Sequence, residues 1–287
     1  MLDVTSITTG SPSQLNEDNH PMKPFDQFPE SEKKRIKFVL TDIDDTLTIN
    51  GRLPSVAYTA MERLQSAGIV VIPITGRPAG WCDHIARMWP VDAVVGENGA
   101  FYFRYDDKQK TMLRRYWRSV HQRADDREKL SALQRIIMDQ VPGCQVSEDQ
   151  AYREADLAID YCEDVAPLPM SAIEKIVYLF TQAGAQAKVS SIHVNGWFGD
   201  YDKLAMTRVL FNEIFDVKLD TEKNRALYVG DSPNDEPMFQ HFPYSAGVKN
   251  VIDFTGQIKY LPAYVASRKG GNGFEEIVAH LLRHHTI

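Results

Sequence analysis

Two predicted strands in this sequence end in carboxylates, and buried strands do not acquire acidic tips for the sake of stability. The first is Phe38-Val39-Leu40 running into Asp42, Asp44 and Asp45 with Thr46 behind them; the second is Ala226 to Val229 running into Gly230-Asp231-Ser232-Pro233-Asn234-Asp235. Strand alternation sends Asp42 and Asp44 to one side and Asp45 to the other. Like charges that close repel, and each raises the other's pKa unless a cation lies between them. The chemistry this suits is a Mg²⁺ site in which one carboxylate attacks and its neighbour moves protons. Asp231 can reach the same ion as Asp42, and Asp235, one turn on, can bind it through water or brace the site. The alternatives are a chain-turning Asp-Asp-Thr cap and a calcium-type loop, but neither explains why two strands end alike.

Between these tips lie groups suited to holding an anion. Thr75-Gly76-Arg77-Pro78 offers a hydroxyl and a glycine amide at a strand end feeding a helix, or else an ordinary hydroxyl-capped turn. Gly96-Glu97-Asn98-Gly99 lacks dinucleotide-loop spacing and is expected to carry Asn98 towards the same mouth. Lys203 follows the capping residue Asp202 at the positive end of a helix, an unfavourable place for a cation unless an anion sits there too.

The elements that must position these groups alternate strand and helix, with a helix from about Ser55 to Gly68, a strand at Ile69–Ile74, a helix whose inner face is read as Trp81, Ile85 and Met88, and a strand at Val91–Val95. That order predicts a parallel α/β sheet with right-handed crossovers, whose ligands sit at the carboxyl ends of the strands. From about Phe101 the texture changes to a hairpin, a charged helix near Asp125–Gln140, short strands and a second helix before Gly184, which reads as a separate inserted lid. In its last strand, alternation places Ile192 and Val194 on the lid core and His193, Asn195 and Trp197 on the opposite face. Arg77, Asn98, Arg153, Lys188, His193, Asn195 and Trp197 are the substrate candidates, Trp197 as a ring for a sugar or as plain packing.

The expected division is a mobile tail over residues 1–35, a core at 36–103 and 198–287, and a cap at 104–197. At 287 residues, 43% hydrophobic and 25% charged, the chain can bury a full core. A net charge of −7 gives no general case for nucleic acid or an anionic membrane, and no apolar run reaches spanning length. Cys82, Cys144 and Cys162 are odd in number and widely spaced, which predicts reduced thiols, a cytoplasmic setting and no zinc site. Oligomeric state is left open by the sequence.

With these parts in place, the sequence resembles the haloacid dehalogenase superfamily of phosphohydrolases. The resemblance rests on Asp42-Ile-Asp44-Asp-Thr46, Thr75-Gly76-Arg77, Lys203 and Gly230-Asp231-Ser-Pro-Asn234-Asp235, in that order, and the insertion between the second and third motifs is similar to the large α/β cap of subclass IIB. It implies a Rossmann-like parallel core with an inserted α+β cap. It also implies Asp42 as the nucleophile that becomes an aspartyl-phosphate and Asp44 as the acid and base. Thr75, Gly76, Lys203 and Asn234 would hold phosphate, while Asp42, the Asp44 carbonyl, Asp231 and Asp235 would serve Mg²⁺. A small phosphorylated sugar or similar metabolite would be the substrate. A phosphomutase using the same intermediate, or a sugar-phosphate-binding protein without turnover, are the rival readings.

Overall fold

A computed structural model of the chain describes residues 22–283. The expected tail is overturned for residues 22–35. β1 (Lys23–Pro24) joins the core sheet as an edge strand, and α1 (Glu30–Lys33) follows a short 3-10 turn. Phe25 and Phe28 are buried, stacked 5.2 Å apart and packed edge-on against Tyr264. Two rings are enough to anchor a segment whose average composition is polar. Residues 1–21 of that expected tail lie outside the described residues.

Strand and helix then alternate as the motif order predicts, through β2 (Phe38–Thr41), α2 (Ser55–Ser66), β3 (Val70–Pro73), α3 (Ala79–Met88) and β4 (Val94–Gly96). The inner face of α3 differs from expectation: Ile85 is buried, but Trp81 and Met88 are 41% and 62% exposed, and Cys82 and Ala86 take the inner positions. The small residues define the stripe, one position round from the large ones.

β5 (Phe101–Asp106) and β6 (Thr111–Tyr116) form an antiparallel hairpin on β4, which itself meets the strand before it through the parallel bridge Ile74–Val95. Phe101 and Phe103 are buried in the core cluster, with Tyr105, Met112 and Tyr116 against it. By packing, therefore, the hairpin extends the core, and the lid begins after Trp117 rather than at residue 104.

The lid consists of α4 (Val120–Gln140), β7 (Gln145–Val146), β8 (Asp156–Asp160), α5 (Met170–Gln182), β9 (Gln186–Val189) and β10 (His193–Trp197). Its sheet, ordered β7-β8-β10-β9, is antiparallel throughout. Leu157, Ile159 and Val194 pack under Leu133, Ile137, Ile176 and Phe180 of the two helices. Alternation leaves Asp156, Asp160, His193 and Asn195 on the other face, where they are buried too.

The chain returns through α6 (Lys203–Phe215), α7 (Leu219–Glu222), β11 (Ala226–Gly230), α8 (Glu236–His241), β12 (Ser245–Gly247), β13 (Tyr264–Val265) and α9 (Gly270–Leu281). The core sheet runs β1-β13-β12-β11-β2-β3, all parallel. Val39, Val71 and Val229 pack on one face with α2 and α9; Leu40, Ile72 and Tyr228 pack on the other with α6 and α8. Among the described residues no helix is long and apolar enough to cross a membrane.

Candidate active site

Because β2 and β11 are neighbours in register, their acidic tips meet. One oxygen each of Asp42, Asp231 and Asp235 lies within 4.8 Å of the others, and all three residues are buried. Lys203 reaches them because of a close approach elsewhere. At Gly99 (φ 108) a side chain would come within 2.1 Å of the Asp202 carbonyl oxygen, so only glycine lets this turn lie against the start of α6. Asp202 caps that helix by accepting from the Ala205 amide at 2.7 Å. The Lys203 ammonium then stands 2.6 Å from Asp42 and 2.7 Å from Asp235.

Gly230 allows Asp235 to fold back over the strand end, since a Cβ there would sit 2.4 Å from its carboxylate. Asp235 accepts from the amides of Asp231 (3.0 Å) and Ser232 (3.3 Å), from the Tyr228 hydroxyl (2.5 Å) and from Lys203, so its oxygens are occupied as braces. Asp231 accepts from Thr46 at 2.9 Å and from Asn250 at 3.3 Å. Burial pushes the Asp42 carboxyl up to about 8 against the pull of Lys203, with Asp235 and Asp44 adding like charge, and burial likewise raises Asp231. Burial also works against the Lys203 charge, but Asp235 and Asp42 overcome it and hold its pKa above the ordinary lysine value. The hard oxygens of Asp42 and Asp231, with Asp235 bracing the cluster, fit a small divalent cation.

The Asp44 carboxylate turns away from this cluster towards Arg77. Arg77 Nε lies 2.9 and 3.0 Å from its two oxygens and Nη2 2.7 Å from one of them. The same guanidinium reaches Glu163 at 2.8 Å and Asp149 at 3.4 Å, both in the lid, and stacks 4.5 Å from the exposed ring of Trp81. Burial alone would raise Glu163, yet His193, 2.8 Å away, and Arg77 bring it down to about 2. Asp45, expected to face away, has φ 57, and its side chain bonds Ser191 of the lid, because strand alternation stops at Thr41.

Gly76, Arg77, Arg153, His193, Asn195 and Asn234 join Asp42 and Asp44 around a cavity of about 10 Å³. Arg153 and Asn195 arrive there already engaged. Arg153 pairs with Asp149 (2.8 Å) and Asp156 (3.1 Å) and donates to the Gly76 carbonyl (2.9 Å), while Asn195 donates to Asp156 (2.9 Å). Thr75 is buried behind the cavity wall, and its hydroxyl accepts from the Arg77 amide at 3.0 Å, the turn that was the alternative reading. Asn98, at φ 54, packs against Gly76 and does not line the cavity. Lys188 is exposed on the edge strand β9 and does not line the cavity. Trp197 is 2% exposed, stacks 5.7 Å from Tyr201 and donates to its carbonyl, so it is packing. Sequence reading missed Asp149, Glu163 and the structural role of Glu97. Glu97 is fully buried and accepts from the amides of Ala79 and Glu154 (both 2.9 Å) and Ala155 (2.6 Å), tying core to lid. An acid at the end of a buried strand was the signal for Glu97; Asp149 comes from a short 3-10 turn and Glu163 from an irregular loop, neither with a spacing to read.

Residues 39–156 match the family model for haloacid dehalogenase-like hydrolases. A search among curated proteins found no match to the sequence. Among solved structures, a Thermoplasma acidophilum protein is 19% identical with a TM-score of 0.65, covering 86% of this chain and 98% of its own. The sucrose-phosphatase of Synechocystis, solved with sucrose and phosphate, is 15% identical with a TM-score of 0.59, covering 85% and 97%. A sugar phosphatase described as haloacid dehalogenase subclass IIB is 14% identical with a TM-score of 0.60, covering 86% and 98%. The chain is thus similar to haloacid dehalogenase-like hydrolases over residues 39–156, and it shares the fold of a parallel core with an inserted cap over most of its length.

Proposed function

We propose that the chain is a Mg²⁺-dependent phosphatase that hydrolyses the monoester of a phosphorylated sugar or similar small metabolite through an aspartyl-phosphate on Asp42. The observation that carries this reading is the meeting of Asp42, Asp231, Asp235 and Lys203 at the carboxyl ends of two adjacent parallel strands, with a second carboxylate, Asp44, on the same cavity. Bound by Asp42, Asp231 and the Asp44 carbonyl with Asp235 in support, Mg²⁺ would supply Lewis-acid neutralisation of phosphoryl charge.

The chain's own groups would carry the reaction. A carboxylate oxygen of Asp42 bonds to phosphorus as the ester P–O bond breaks, and the Asp44 carboxyl gives its proton to the departing alkoxide. Asp44, now ionised, takes a proton from water as the water oxygen attacks phosphorus; the Asp42 O–P bond breaks and inorganic phosphate leaves. Lys203 would neutralise charge throughout, and the Gly76 turn and the Asn234 amide, both on the cavity lining, would receive phosphoryl oxygens, with Thr75 bracing that turn from behind. Phosphate monoesters need up to ~10²¹-fold acceleration, which is why charge neutralisation is combined with a covalent step that divides the barrier.

The polar lid face carrying His193 and Asn195 would read the substrate, with the segment from residue 118 to 197 acting as the specificity cap. The sucrose and phosphate held by the Synechocystis relative support a sugar phosphate as the class. The test is inorganic phosphate release from a panel of sugar phosphates and one aryl phosphate, in Mg²⁺ and in EDTA, with Asp42→Asn alongside. Release that requires Mg²⁺ and vanishes in Asp42→Asn is the expected result. Isomerised substrate with little free phosphate would select the mutase instead, and binding without either product would select the sensor.

A further inference from the structure

We infer that the lid selects its substrate by charge: Glu163, with Asp149 beside it, receives the hydroxyl donors of a neutral sugar and turns away a phosphate ester that carries a second anionic group. The inference rests on the phosphatase reading above and narrows its substrate class.

The cavity of about 10 Å³ is smaller than a sugar phosphate, so a substrate of that class takes its place between groups that touch each other here. On the lid side these include Glu163 and Asp149, 2.8 and 3.4 Å from the Arg77 guanidinium. Parting them leaves Glu163 Oε1 without its donor, while Oε2 keeps His193 at 2.8 Å. Asp149 retains Arg153 at 2.8 Å and the Ser147 hydroxyl at 2.7 Å. The need for a new donor is therefore sharpest at Glu163. Its loop is set in advance, because Asp160 accepts from the amides of Cys162, Glu163 and Asp164, each at 2.8 Å. A partly buried carboxylate that loses one donor requires another. Sugar hydroxyls donate, whereas an ionised carboxylate or phosphate only accepts.

The charges nearby point the same way. Burial alone would raise both carboxyls, but His193 and Arg77 bring Glu163 down to about 2, and Arg153 and Ser147 hold Asp149 below the ordinary aspartate value. The guanidinia on the cavity are already committed, Arg77 to Asp44 through Nε and Nη2, and Arg153 to Asp149 and Asp156. A second anionic group could take Arg77 only by standing against Glu163 and Asp149 as a like charge, which is how a site turns a wrong partner away.

The probes are sorbitol 6-phosphate and 6-phosphogluconate, the same open chain ending in a hydroxyl or in a carboxylate, with 4-nitrophenyl phosphate as the sugar-free ester. Each sugar ester is assayed in Mg²⁺ as a substrate, for kcat/KM, and as a competitor of the aryl ester, for Ki. Wild type, Glu163→Gln and Asp149→Asn are compared; far-UV circular dichroism confirms folding, and either folded variant decides. Lid opening is common to both sugar esters, so it cancels in their ratio. The expected result is a preference for the sorbitol ester of at least about tenfold in the wild type, shrinking at least about threefold when either carboxylate is neutralised. A gluconate ester used or bound as well as the sorbitol ester, or a ratio unchanged in the folded variants, overturns the inference and leaves the phosphatase reading intact. Turnover of the aryl ester with neither sugar ester used or bound overturns the inference as well. A wild type inactive on all three esters overturns the reading and the inference together.

Discussion

Lys203→Met keeps the length of the side chain and removes the one cation among three buried carboxylates. In the wild type the ammonium is 3% exposed and touches Asp42 and Asp235 at 2.6 and 2.7 Å. Without it, Asp42, Asp231 and Asp235 remain clustered within 4.8 Å against neutral donors only: the Tyr228 and Thr46 hydroxyls, the Asn250 amide and two backbone amides. Breaking a buried pair by removing one partner costs about 3–5 kcal/mol. Proton uptake offsets part of this, because burial has already brought the Asp42 carboxyl up to about 8, so the lower end applies near neutral pH. With about 2–4 °C per kcal/mol for a protein of this size, the melting temperature in EDTA should fall by about 6–12 °C. A divalent cation binding the folded cluster at a hundred times its Kd returns about 2.7 kcal/mol. Thermal unfolding followed by circular dichroism, in EDTA and in Mg²⁺, should thus show a larger Mg²⁺ lift in the variant than in the wild type. A loss below about 1 kcal/mol in EDTA, or an equal lift in both proteins, would refute the charge-cluster argument.

The depressed Glu163 carboxyl contributes stability that is fully present above its ordinary pKa of 4.5 and is lost as pH falls towards about 2. Urea unfolding should therefore show the wild type ahead of Glu163→Gln by about 2–3 kcal/mol near pH 7, with the gap closing between pH 4.5 and 2; a gap that widens on acidification refutes the sign. Phe25→Ala should lower unfolding free energy by about 3–5 kcal/mol, as for any buried ring, whereas a segment outside the core would show no change. Lys188→Ala should leave kcat/KM on the best sugar phosphate within about twofold, and a tenfold rise in KM would return Lys188 to the substrate site.

The acidic tips, the Lys203 helix start and the alternation of His193 and Asn195 were legible because each is a local pattern. Two carboxylates after an apolar run, a cation behind a capping Asp and a period of two can all be read without knowing which strands are neighbours. What failed needed tertiary knowledge. Trp197 and His193 share a strand face, yet one packs on Tyr201 and the other meets Glu163, a choice made by residues far away in sequence. The hairpin reads as lid in sequence because its strands are antiparallel; the Ile74–Val95 bridge and the packing of Phe101 and Phe103 join it to the core. The start of α4 has a local signal, since Ser119 and Gln122 form a capping box whose capping residue lies six residues ahead of the expected charged stretch.

The cavity of about 10 Å³ has room for roughly one water, less than a phosphorylated sugar of the proposed kind needs in this arrangement of lid and core. Entry has to part Arg77 from Glu163 and Asp149, and Arg153 from the Gly76 carbonyl. Measured affinity then equals intrinsic affinity scaled by the fraction of molecules standing open. KM becomes a property of the seam as much as of the pocket: loosening a contact that no substrate ever touches lowers it, and tightening one raises it. A mutational survey scored on KM alone would thus rank seam residues as ligand contacts, and the fraction of open molecules must be measured before the lid's residues are assigned to either class.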